Sequence, residues 1–541
     1  MQNMLRKAEW GVALLVTALV VYLHFVFFQH AGGLWRDEVG TIRLAARPDL
    51  PDVWAYLLYD SFPAFWVIVT RAWLWLGLGS DNGLRLLGLL VGLSVLGALW
   101  FNARRLKISF PFFSLLLLGF SPTIILWGDS MRAWGWGTFW ILMTFGLIWR
   151  VVESPSRLNF LGATMAAIGS VHTTYYNWVL LFALCAAGSV VALRHGQWKR
   201  SVLVLGIGLV AVVSVIPYLI GIHHIAGHYL IAQIPFDFER FVTKITEAVT
   251  DGRPASGYIW ALLLMAALAM AVFCQFRPSV LKITAGQNDL LLFSITAFAI
   301  GIVGYFLFLR NLKFGTQSWY YSSLMAVTAL AIDAVLSVLG NWERGRKLRL
   351  VFVVVVLGLM APPVWNTVRM RMTNMDLIAK RLSESVNKGD LIVVNPWYCG
   401  ISFQYYYSGE APWTTLPELQ DHKFHCYDTV VQIMMKPDQM EAIGSVLDKI
   451  TETLKSGNRV FLVGGLTYPP PNQKPPSLPA APNGPAGWSS TPYQKLWSLE
   501  AGYFVQSHVQ QYKDFIVAPE EGTVNPAEYM PLTVVQGWRD K

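Results

Sequence analysis

The feature that most constrains this chain is a succession of apolar runs, each about as long as a bilayer is thick. A helix needs ~20 apolar residues to cross the hydrocarbon core. By that measure the sequence predicts about eleven spans, near residues 9–28, 82–103, 108–127, 132–151, 158–172, 176–193, 201–221, 257–275, 287–309, 318–340 and 348–367. Composition points the same way. Of the 541 residues, 54% are hydrophobic and only 14% charged, and mean hydropathy is +0.43. That usage belongs to a polytopic α-helical membrane protein, not a soluble one. A twelfth apolar run, 62–78, opens at Pro63 and is interrupted by Arg71. It reads as an aromatic helix lying along the interface. The first run lacks a small-residue cleavage site and reads as an anchor.

The net charge of +9 does not argue for nucleic acid, because the basic residues sit in short loops between the runs. Arg6 and Lys7, Arg104 to Lys107, Arg150 and Arg157, Arg194 to Arg200, Arg277 and Lys282, and Arg344 to Arg349 fall on one side if alternate loops share a face. The positive-inside rule makes that side cytoplasmic. The opposite side holds residues 29–81, the starts of spans near 129 and 172, the segment 222–256, the loop 310–319 and everything beyond the last span.

Composition changes near residue 370, which divides the chain into a membrane domain, 1–368, and an α/β domain, 369–541. Residues 376–387 look helical. Leu391–Val394 reads as a buried strand after the turn Lys388-Gly389-Asp390, and residues 459–463 as a second. Between them, Met440, Ile443, Val446, Leu447, Ile450 and Leu454 recur at helical spacing, and Gly457 closes that helix. Residues 468–487 form a Pro/Gly-rich insertion, and 497–517 are expected to return as one or two strands. Of four cysteines, Cys185 and Cys274 lie in apolar runs. Cys399 and Cys426 lie in the α/β domain, where an oxidising space would allow a disulfide.

Four polar groups gather at outer ends of spans. They are Arg36-Asp37-Glu38, then Asp129 with Arg132 and Trp134, then His172 with Tyr175 and Tyr176, and finally Arg310 and Lys313 followed by Trp319 and Tyr320. Carboxylates held at a bilayer edge are costly and default to a functional reading. Together the groups suit transfer of a sugar to a hydroxyl. A carboxylate takes the acceptor proton. Cations such as Arg132, Arg310 and Lys313 hold the charge of a phosphate leaving group. Aromatic faces stack on the sugar or hold the lipid. Plainer roles stay open: Asp37 and Glu38 as helix caps, Arg132 as a helix-end anchor, His172 as an interhelical hydrogen-bonding group, the rings as an interfacial belt. His223, His224 and His228 are too sparse a set for zinc.

Asp37-Glu38 after the first span, Ser61-Phe62-Pro63-Ala64-Phe65-Trp66, Leu84-Arg85-Leu86, Ser121-Pro122, Asp129 to Trp134, and His172 with Tyr175-Tyr176 follow in an order that resembles one family. Residues 1–370 look like the C-type integral-membrane glycosyltransferases, in the branch of protein mannosyltransferases and bacterial aminoarabinose transferases. The resemblance implies a polyprenyl-phosphate sugar donor and an inverting reaction on the outer face of the cytoplasmic membrane. It implies Asp37 as general base, with Glu38 beside it and Asp129 as a second acidic position. The acceptor would be a glycan, lipid or protein. A divalent metal bridging Asp37 and the phosphate is admitted but not required. The chain departs from many relatives where it has Phe62-Pro63, Asp129-Ser-Met-Arg132 and Ser318-Trp319-Tyr320. The rivals are a flippase of lipid-linked sugars, which would carry charges at mid-span and inverted repeats, and a non-catalytic envelope assembly protein.

Overall fold

A computed structural model describes the chain except residues 1, 220–234, 277–282, 313–314, 471–472, 482–488, 520–521 and 541. The histidines at 223, 224 and 228 and Lys313 therefore lie outside the described residues. In chain order the helices begin α1 (Gln2–His30), α2 (Arg36–Ala45), α3 (Leu50–Tyr56), α4 (Ala64–Trp75), α5 (Asp81–Arg105), α6 (Phe112–Gly119) and α7 (Pro122–Gly128). They continue with α8 (Trp134–Glu153), α9 (Arg157–Val171), α10 (Asn177–Arg194), α11 (Trp198–Ser214), α12 (Phe238–Thr250), α13 (Pro254–Phe276), α14 (Ala285–Leu312), α15 (Ser322–Leu336) and α16 (Glu343–Val368). Beyond these the chain alternates α17 (Met375–Ser385), β1 (Leu391–Val394), α18 (Gly400–Tyr406), β2 (Trp413–Thr415), α19 (Tyr427–Met434), α20 (Gln439–Lys455), β3 (Arg459–Val463), α21 (Thr491–His508), β4 (Val509–Phe515) and β5 (Leu532–Trp538). These elements form two compact units. One comprises residues 1–29, 62–219 and 236–369. The other comprises 30–61, 220–235 and 370–541.

The first unit is a helical bundle. Among the described residues, eight helices are long and apolar enough to cross a membrane, and the chain is a multi-pass membrane protein. Where described, each of the eleven expected runs falls mostly on helix. The run 108–127, however, is broken into α6 and α7. Pro122 has no N–H to continue the first helix, and Ser121 Oγ instead accepts from Ile124 N. The N–H groups of Phe113 and Ser114 that open α6 are satisfied by Asp333 of α15, at 3.0 and 2.8 Å. α9 and α11 are 15 and 17 residues long, and α4 has only 12. α15 is buried on every side. α13 and α16, by contrast, expose Leu262, Met265, Val272, Val351, Val354 and Leu359, as helices facing lipid do. Arg346 and Arg349, counted above with the basic loops, lie in α16 and pair with buried Glu9 of α1.

The second unit is a five-stranded sheet in the order β2-β1-β3-β5-β4 with helices on both faces. β1 runs parallel to β2 and β3, and β5 is antiparallel to β3 and β4. Alternation decides what each strand meets. Leu391, Val393, Val460 and Leu462 pack with α20 and α21, while Ile392, Val394, Phe461 and Val463 pack with α17 and α18. The helix expected around residues 440–454 and both early strands are present, and Gly457 ends α20 at φ +81°. The expectation of strands from residue 497 is corrected: Trp497 lies fully buried within α21, and the strand begins at Val509. Where described, the insertion between 468 and 487 carries no helix or strand. Cys399 and Cys426 are free thiols, not a disulfide. Burial pushes Cys399 up to about 11 and Cys426 up to about 12.

Candidate functional site

Residues 30–61, which carry Asp37, belong to the same unit as the α/β domain. Backbone and side chain both tie them there. Met372 N donates to Ala31 O at 2.8 Å, Leu34 N donates to Tyr406 Oη at 2.6 Å, and Arg43 donates to Gln404 Oε1 at 2.5 Å. Tyr56 and Tyr59 pack on Phe424. The segment meets the residues that follow β1, at the carboxyl ends of the parallel strands. There the order β2-β1-β3 reverses the direction of winding, and α/β folds place ligands at such a point.

Within α2 the three charged residues have separate surroundings. Glu38 is fully buried, and its Oε2 accepts from Trp35 N at 3.0 Å, capping its own helix. Arg36 is bound by the buried carboxylate of Glu528 and lies 4.5 Å over the Tyr398 ring. Asp37 keeps 29% of its side chain exposed. Its Oδ1 faces His425 Nε2 at 3.1 Å and Arg36 Nε at 3.5 Å. His425 is stacked on Tyr427 with ring centroids 5.4 Å apart and planes 10° apart, which fixes the ring. The reachable carboxylate here is thus Asp37, oriented by an imidazole. His425 was missed from sequence.

Five of the expected residues come together in the helical unit. Arg132, 7% exposed, lies 4.5 Å over Phe62. Trp134 meets Phe62 edge-on at 4.5 Å and Tyr320 at 4.6 Å. Tyr176 lies 5.2 Å from Tyr320, and Trp319 lies 6.3 Å from it. The result is a cation set in a wall of rings. His172 and Tyr175 belong to a neighbouring group. His172 Nε2 is 2.9 Å from Ser214 Oγ, its Nδ1 is 3.1 Å from Tyr218 Oη, and Tyr175 packs on Tyr218. Arg310 is exposed near the end of α14. Asp129 is buried, and its Oδ2 is 2.7 Å from Nδ1 of His24, a residue of α1 that sequence reading also missed. A histidine inside an apolar span is itself a signal, and it could have been found on that ground.

Among the described residues no three His, Cys, Asp or Glu side chains gather as a metal site. Asp37 and His425 offer two donors, and Glu528 is taken up by Arg36. Among the described residues of this unit the ligand set is not complete. In the helical unit a cavity of about 670 Å³ is lined mainly by apolar side chains of α12 to α15, among them Trp260, Leu264, Phe298, Ile302 and Leu324.

No family model matches the chain, and no curated protein matches it. Solved structures do. An oligosaccharyltransferase of Archaeoglobus fulgidus, in complex with zinc and sulfate, aligns at 13% identity over 83% of this chain and 67% of that one, with a TM-score of 0.46. ArnT of Cupriavidus metallidurans aligns in the apo state at 14% identity over 84% of this chain and 93% of that one, with a TM-score of 0.40. Bound to undecaprenyl phosphate, it aligns at 15% identity over 97% and 98%, with a TM-score of 0.39. All three TM-scores fall below 0.5.

Proposed function

We propose that the protein is an inverting glycosyltransferase that moves a sugar from a polyprenyl phosphate to a hydroxyl acceptor, on the outer face of a cytoplasmic membrane. The observation that carries this is Asp37, a partly exposed carboxylate oriented by His425, while the charges beside it are already satisfied. In the reaction Asp37 accepts the proton of the acceptor hydroxyl. That oxygen bonds to the anomeric carbon from the face opposite the phosphate, the bond from carbon to phosphate oxygen breaks, and polyprenyl phosphate leaves. A phosphate is a weak base and needs no acid. It needs a cation, and Arg132 among its aromatic neighbours suits that role. The rings of Trp134, Tyr176 and Tyr320 suit a sugar face, and the apolar cavity of α12 to α15 suits a lipid tail.

The test supplies the purified protein with radiolabelled polyprenyl-phosphate sugars and compares wild type with Asp37→Asn. Loss of a general base lowers turnover by roughly 10²–10⁴-fold, and the thermal midpoint should stay unchanged because Asp37 is partly exposed. Equal transfer by the two proteins would remove the proposed base.

A further inference from the structure

The sheet of the second unit is covered unequally. α20 and α21 pack on one face, whereas on the other α17 and the seven-residue α18 pack chiefly with β1 and β3. Beyond them, where β5 and the edge strand β4 extend the sheet, a hollow of about 520 Å³ remains. Alternation turns Gln511, Lys513 and Phe515 of β4 toward it, opposite Gln536, Val534 and Leu532 of β5.

Two cations converge on one ring in this hollow. Arg381 of α17 lies 4.8 Å from the Phe515 centroid, and Lys513 lies 5.0 Å from the same centroid. Both are exposed, neither makes an ion pair among the described residues, and no carboxylate lines the hollow. Nearby Arg459 is already held by buried Asp390 at 2.7 Å. Two cations this close to one centroid lie within about 10 Å of each other, and an anion that reaches both is attracted by each. Around the cations, Gln536 Nε2 donates to Gln511 Oε1 at 3.4 Å, and the remaining amide groups of the pair offer donors and acceptors for hydroxyl groups. The volume lies within the range of small-molecule sites.

We propose that this hollow binds an acidic saccharide, its anionic group between Arg381 and Lys513 and its hydroxyls on the two glutamines. The site goes beyond the transferase reading and does not depend on it. The test titrates the full chain in detergent with digalacturonate by calorimetry at low salt, beside cellobiose, inorganic phosphate and phosphatidylglycerol vesicles. Binding at one site is expected, with affinity at least about tenfold lower in the double variant Arg381→Ala/Lys513→Ala and falling as salt rises. The charge-conserving Arg381→Lys/Lys513→Arg should retain it. Cellobiose should not bind. Unchanged affinity in the alanine variant, equal binding of cellobiose, phosphate binding as tightly as the disaccharide, or displacement of the sugar by the vesicles would each overturn the proposal.

Discussion

Asp37 and His425 meet across 388 residues of sequence, and this pairing bears directly on rate. A charged acceptor with an N–H donor in place is oriented as well as stabilised. In His425→Ala, turnover should fall by about tenfold or more with KM little changed, while His425→Gln, which keeps an N–H, should recover part of the loss. Steady-state kinetics on the three proteins checks this. A second residue-scale outcome concerns Glu500 of α21, which is buried with Oε2 lacking a hydrogen-bond partner among the described residues. Burial, with Asp438 nearby, pushes its carboxyl up to about 7. The folded state therefore binds a proton more tightly than the unfolded chain. Stability is full below the ordinary glutamate range and declines as pH rises through about 7. Glu500→Gln should match wild type near pH 4 and exceed it at pH 8, as thermal unfolding at the two pH values will show.

At the scale of elements, α5 shows how a helix makes room for a buried charge. A Cβ on Gly92 would stand 2.1 Å from Asp129 Oδ1 and 2.5 Å from His24 Nδ1, and one on Gly88 would stand 1.9 Å from Asp129 O. Glycine at these two positions, one turn apart, lets the turn after α7 lie against α5. Gly92→Ala should cost about 1–3 kcal/mol through overpacking, with Gly97→Ala, which meets nothing, as the control. Thermal unfolding of both in detergent distinguishes them. None of this was legible beforehand, because Gly92 sits in an ordinary apolar run. What was legible were elements with a strong period of their own, such as α20 and the long spans. A strand was expected within 497–517, but the start of β4 was not legible, because its sequence, Val-Gln-Gln-Tyr-Lys-Asp-Phe, lies at a sheet edge and mostly in solvent and has no apolar alternation. α6 and α7 read as one span because hydropathy does not register a single Ser-Pro step. Asp37 stood out as a carboxylate at the end of a span. His425 did not, since nothing local to it predicts a partner in the first outer segment.

For the whole molecule, the shared unit of residues 30–61 and 370–541 constrains how the chain threads the membrane. Both segments lie on one side, so the chain between them crosses an even number of times. Of the eight long helices α1 precedes residue 30, which leaves seven. If all seven of these candidates cross, an odd number of shorter apolar stretches crosses as well. Counting α6 with α7, α9 and α11 as crossings satisfies this and leaves α4 along the interface, where its 12 residues, ~18 Å of helix, place it by length. Adding α4 as a fourth would put residues 49 and 388 on opposite sides. The two arrangements separate in a labelling experiment. The four native cysteines are replaced by serine, and Asp49→Cys, Lys388→Cys and Lys107→Cys are each tested with a membrane-impermeant maleimide on intact spheroplasts. Labelling at 49 and 388 but not at 107 is expected. Labelling at 49 without 388 would mean that the segment carrying Asp37 and the α/β domain do not share a compartment, and with that the His425 contact and the kinetic prediction built on it would fall together.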